Sequence, residues 1–160
     1  MGWKQDKAEA GLDYLKPASA RSYVCLVVDL GRMPRAHVAR LEALAAADAH
    51  LCLLGVSEPE SLRAAWQGGA LRRVAERSKA KHAVEAALAR LPPRCRLLIL
   101  GLEGERVPIW LGGVMGHAVQ PLLLPVDTTP EGLPALVEPG IGHCLREALT
   151  SDPEFAYLRP

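Results

Sequence analysis

The sequence predicts an α/β domain built on an open, mostly parallel sheet. Three observations carry this. Short apolar runs recur along the chain at Ser22–Leu30, His50–Val56, Cys95–Gly101 and Pro121–Asp127. Between them, apolar residues fall at the helical spacing. Proline and glycine punctuate the junctions. Such strand–helix alternation belongs to parallel sheets with helices on both faces, and the right-handed crossover rule removes most other windings.

Each element has its own justification. "SYVCLVVDL" is rich in β-branched and aromatic residues and reads as a strand buried on both faces, closing in Asp29-Leu30-Gly31. Pro34 opens a helix in which Val38, Leu41, Leu44 and Ala45 trace one stripe. "HLCLLGV" is the second strand. Ser57-x-x-Glu60 resembles a capping box, with Pro59 tolerated in the first turn of a short helix carrying Leu62, Ala65 and Trp66. Gly68-Gly69 interrupts it. Helical spacing resumes from Ala70 to Leu91, and Pro92-Pro93 stops it. "CRLLILG" is the third strand. Pro108 starts a compact helix carrying Gly112, Gly113 and Gly116, in which Gly112 and Gly116 would allow close approach to the sheet. "PLLLPVD" is the fourth strand, "TTPEGLPALVEPG" reads as loop, and a last helix lies near Ile141 to Thr150. The expected architecture is a Rossmann-like or flavodoxin-like sheet of about four to five strands. Residues 21–127 form the domain, 1–20 an N-terminal extension, and 128–160 a C-terminal extension packing on the domain or on a second subunit.

Composition bounds the function. The chain of 160 residues suits one domain. With 49% hydrophobic but only 4% aromatic residues, its core must be made of Leu, Ala and Val. A formal charge of +1 gives no global field toward nucleic acid or membrane. No apolar run approaches the roughly 18 residues of a membrane span, and the start has alternating charges with Asp6 where myristoylation needs Ser or Thr. A cytoplasmic location is expected. The four cysteines form no C-x-x-C pair and read as buried, reduced thiols. Arg72, Arg73, Arg77, Lys79 and Lys81 make the 70–91 helix basic. It has no aromatic side chain to stack bases, so it reads as a solvated face and not as a nucleic-acid surface.

In open parallel sheets, ligands bind at the carboxyl ends of strands where the strand order reverses. Asp29 and Gly31 close the first strand, and Gly101, Glu103, Gly104 and Glu105 follow the third. With these strands adjacent, Asp29 and Glu103 share a crevice. A carboxylate there can accept from ribose hydroxyls or hold a cation that carries phosphates. The same residue types also serve plain turns.

"YVCLVVDLGRMPRAHVARLEALAAADAHLCLLGVSEP" resembles the opening strand, helix and strand of universal stress proteins, and "LLILGLEGERVPIWLGG" is similar to their nucleotide signature. That signature is Gly, two residues, Gly, nine residues, Gly, then Ser or Thr. The resemblance implies nucleotide contacts at Asp29, Val56, Gly101, Gly104 and Gly113, with Gly31 and Glu103 beside them, and ATP or AMP with Mg²⁺ as ligand. Here only eight residues separate Gly104 from Gly113, Val114 stands at the hydroxyl position, and Glu103 and Glu105 bring negative charge to the loop. The first expectation is therefore a binding or regulatory module with weak or no adenine-nucleotide binding. It is expected to be a homodimer, since "PLLLPV" would leave an apolar edge in need of cover. The alternative is an enzyme acting on a nucleoside or nucleotide through Asp29 and Glu103. "GGVMGHAVQPLLLPVD" resembles nucleoside deoxyribosyltransferases and Toll/interleukin-receptor-like domains, although Val114 stands beside the position of their catalytic Glu. The histidines are scattered, no serine sits in a nucleophile elbow, and no metal site is expected.

Overall fold

The computed structural model describes residues 11–67 and 74–151. Arg72 and Arg73 lie outside the described residues, as do the side chains of Arg77, Lys79 and Lys81, so the basic face expected on this helix is not among the features below.

The sheet has five strands in the order β1-β3-β2-β4-β5. β2 (Val24–Asp29), β3 (Leu51–Val56), β4 (Arg96–Leu102) and β5 (Val119–Leu124) are parallel, while β1 (Leu12–Lys16) runs antiparallel to β3. Taken alone, the parallel strands have the 2-1-3-4 order of flavodoxin-like sheets, so the order reverses between β2 and β4. This open α/β sheet is the one the sequence predicts.

Alternation along the strands divides the core. Val24, Leu26 and Val28 face α1 (Arg35–Ala46) and α5 (Leu133–Ser151). Cys25 and Val27 face the opposite cluster with Leu62, Val84 and Leu88 of α2 (Pro59–Gln67) and α3 (Val74–Ala89). All six residues of β2 and of β3 are buried, which is why both read as unbroken apolar runs.

β1 lies in the segment assigned to an N-terminal extension. It is a partly buried edge strand, and its Asp13 and Lys16 hide it from an apolar-run criterion. It is tied to both helical layers. The Tyr14 hydroxyl donates to the Ala87 carbonyl at 2.6 Å. Lys16 donates to the Asp48 carbonyl at 2.6 Å, placing a cation just past the C-terminus of α1.

The helices depart from expectation at two places. The box at Ser57 and Glu60 does not open α2. Ser57 N–H is drawn to the Gly11 carbonyl of β1's leading turn, and Glu58, at φ +48°, accepts the first helical bond from Leu62. The last helix begins well before Ile141. Leu133, Val137, Ile141, Cys144 and Ala148 form one buried stripe, long enough to carry Pro139 inside the helix. A proline there costs about 3 kcal/mol in isolation, and burial of two further apolar turns offsets it.

The β4–β5 connection is short: a 3-10 turn (Ile109–Leu111) and the single turn α4 (Gly112–Met115), ended by Gly116 at φ +79°. A methyl group at Gly112 would fall 2.2 Å from Val119, so this glycine permits the close approach expected of it. β5 is an edge strand. Leu97 N–H donates to Ala118 C=O and Glu103 N–H to Leu124 C=O, so even-numbered residues of β5 face β4 and odd ones face outward. Pro121 therefore lacks an N–H where it would have pointed away from the sheet. Among the described residues, no helix is long and apolar enough to cross a membrane.

Candidate functional site

The reversal between β2 and β4 places the carboxyl ends of both strands together, and a cleft of about 260 Å³ opens there. Asp29, Gly31 and Arg32 come from the exit of β2, Glu58 to Ser61 from the start of α2, and Arg106 from the loop after β4.

Asp29 is only 9% exposed. Its Oδ1 accepts from Gly31 N–H at 2.9 Å, its backbone carbonyl accepts from Met33 at 2.8 Å, and Oδ2 lies 3.7 Å from Arg32 Nε. The carboxylate thus folds the exit of β2 into a turn and keeps one oxygen, shared with Arg32, toward the cleft. Gly31 is pressed against it: a methyl there would lie 3.3 Å from Oδ1.

The Gly101–Glu105 turn is closed on itself. Gly104 takes φ +87°, which favours glycine. Glu103 N–H donates to the Leu124 carbonyl at 2.8 Å and Glu105 N–H to the Leu102 carbonyl at 3.0 Å. Leu102 N–H donates to the Glu105 carboxylate at 3.2 Å. Three N–H groups of the turn, those of Leu102, Glu103 and Glu105, are thus engaged within the protein, one of them by a carboxylate of the loop itself. Gly101 is a packing glycine, where a methyl would meet Val107 at 2.5 Å.

The structure therefore brings only part of the expected set together. Asp29 and Gly31 line the cleft; Val56, paired in register with Asp29, is buried at the end of β3. Gly101, Glu103 and Gly104 stand at the neighbouring strand end outside the cleft lining, with Glu103 exposed. Gly113 is on α4, exposed, with open space where a side chain would be. Sequence reasoning missed Arg32, Glu58, Glu60, Ser61 and Arg106. The strand-end criterion that selected Glu103 applied equally to Arg32 and Arg106, but it had been restricted to acidic residues and glycines.

No protein-family model, curated protein or solved structure matches the chain.

The cleft's chemistry is mixed in sign. Two guanidinium groups stand among three carboxylates, beside the first-turn N–H groups of α2, which carry partial positive charge. Such a site can orient a small ligand bearing both charges and suits a polyanion poorly. A second hollow of about 280 Å³, between Leu44, Leu51 and Ile141, touches none of these residues. Among the described residues no group of His, Cys, Asp or Glu is placed to hold a metal ion. His117 is buried and donates to the Cys95 carbonyl at 2.9 Å; His37 donates to the Thr128 carbonyl at 2.8 Å. Both rings fasten the scaffold.

Proposed function

We propose that this protein is a small cytoplasmic α/β binding or regulatory module, acting as a homodimer, whose cleft at the β2–β4 reversal takes a small charged ligand and binds adenine nucleotides weakly or not at all. The observation that carries this is the pairing of an open cleft at the switch point with a Gly-x-x-Gly turn whose Leu102, Glu103 and Glu105 N–H groups are satisfied internally. A phosphate displacing Glu105 would have to break a charge-assisted bond, of about 1.5–3 kcal/mol, before gaining its own. That alone weakens binding about ten- to a hundredfold.

Titration calorimetry with ATP and with AMP, each with and without Mg²⁺, tests the reading. The expected dissociation constant is no tighter than about 100 µM. Sub-micromolar binding would overturn it and return the turn to the role of phosphate cradle. Asp29 alone of the expected acidic pair lines the cleft, which favours a binding role over catalysis by Asp29 and Glu103.

For the homodimer, the supporting observation is apolar exposure around the short β4–β5 connection. Ile109 is 58% and Met115 48% exposed. Pro121 disfavours edge-to-edge strand pairing, so the dimer forms through this apolar flank. Light scattering across micromolar concentrations should give twice the chain mass; a constant monomer mass would rule the dimer out.

A further inference from the structure

Three of the four cysteines, scattered in the sequence, meet on one face of the sheet. Cys25 on β2 and Cys52 on β3 are register partners on adjacent parallel strands. Cys95 immediately precedes β4 and belongs to the same apolar cluster, packed with Leu88 and Leu91. Each of the three thiols donates to a backbone carbonyl, Cys25 to Leu26 at 3.7 Å, Cys52 to Val24 at 3.9 Å and Cys95 to Arg96 at 3.7 Å. Cys144 is on the opposite face with α5, apart from this group.

Neighbouring strands are spaced about 4.8 Å apart, inside the roughly 4.4–6.8 Å Cα window of a disulfide. In-register side chains stand nearly parallel, so their Cβ atoms keep about the strand spacing, just beyond the disulfide range of roughly 3.5–4.5 Å, and closing the bond must draw the two strands together. A bond between them closes against some strain and is readily reduced, the property of labile rather than structural disulfides. The neighbouring Cys25 and Cys95 thiols lower the Cys52 thiol against the opposing effect of burial, while Cys52 and burial raise Cys25 and Cys95. Cys52 is the most acidic sulfur of the three.

We propose that Cys25, Cys52 and Cys95 form a buried redox-sensitive thiol centre, in which hydrogen peroxide joins Cys52 to Cys25 and ties β2 to β3. The Cys52 thiolate attacks one peroxide oxygen; the O–O bond breaks and hydroxide leaves, taking up a proton as water. Cys52 is then a sulfenic acid, oxidised by two electrons. The Cys25 sulfur attacks the Cys52 sulfur, the S–S bond forms, the S–O bond breaks, and the oxygen leaves as water with the Cys25 proton. Two thiols and one peroxide yield one disulfide and two waters. All three cysteines are at 1% exposure or less, which excludes bulky thiol reagents.

The test uses the full native chain. It is exposed to hydrogen peroxide without denaturant, quenched, then unfolded, alkylated and digested for mass spectrometry. The expected result is loss of two hydrogens, a linked peptide pair carrying Cys25 and Cys52, recovery of both thiols with dithiothreitol, and full alkylation of Cys144. In Cys25→Ala no intramolecular link should form, because β2 stands between Cys52 on β3 and Cys95 at the start of β4. The wild-type peptide map decides even where that variant folds poorly. Four alkylated cysteines after native oxidation would overturn the proposal, as would a link through Cys144, a link between molecules, or a disulfide formed only in denaturant.

Discussion

Gly112 and Gly113 adjoin in the chain but meet different surroundings. Gly112 has Val119 and the His117 carbonyl against it, whereas a side chain at Gly113 would enter open space. Gly112→Ala should therefore destabilise by about 1–3 kcal/mol through overpacking. Gly113→Ala, in a helical turn, should be neutral or stabilise by up to about 1 kcal/mol. Urea midpoints of the two variants measure this directly. Gly104→Ala should cost about 1–2 kcal/mol, because an L side chain at φ +87° is strained even with free space around it. In the sequence these glycines look alike, spaced as if to cradle a ligand. Their distinct demands come from Val119 pressed on Gly112, the left-handed backbone of Gly104 and the open space at Gly113, none of which spacing reveals. Asp29 was legible because the buried apolar run it closes marks the strand end unmistakably. Arg32 and Arg106 were not, since an arginine in a loop is ordinarily a solvated charge.

The strands show where legibility ends at the level of elements. β2, β3 and β4 are buried on both faces and leave an unmistakable apolar record. β1 leaves none, since an edge position tolerates Asp13 and Lys16, yet it is anchored by Tyr14. Burial pushes the Tyr14 phenol well up from its ordinary value. A raised folded-state value means that the neutral phenol's stabilisation is fully present below the unfolded pKa near 10 and is lost as pH rises past it. Tyr14→Phe should cost about 1 kcal/mol at pH 7, for the bond to Ala87. The deficit should shrink and reverse above about pH 11, because the variant lacks the ionisable group. Urea unfolding at the two pH values measures both limbs. At the other edge, Pro121→Thr restores an outward N–H on a strand of apolar residues and should promote concentration-dependent association beyond a dimer, visible by light scattering. The first half of α5 escaped notice because Pro139 imitates a loop, while its apolar stripe registers only once the sheet is there to receive it.

At the scale of the molecule, helices on both faces and the division into two apolar clusters follow from alternation and crossover handedness, and so were open to sequence reasoning, whereas the strand order was not. The ligand was not, because the cleft is assembled from three loops whose charges become neighbours only on folding. All four native cysteines are buried. A single thiol introduced on the cleft wall, Ser61→Cys, is then the one position a maleimide dye can reach in the folded protein. An environment-sensitive fluorophore placed there turns the cleft into an optical reporter. Metabolite mixtures can be screened by emission change alone, with no prior assumption about what the cleft holds.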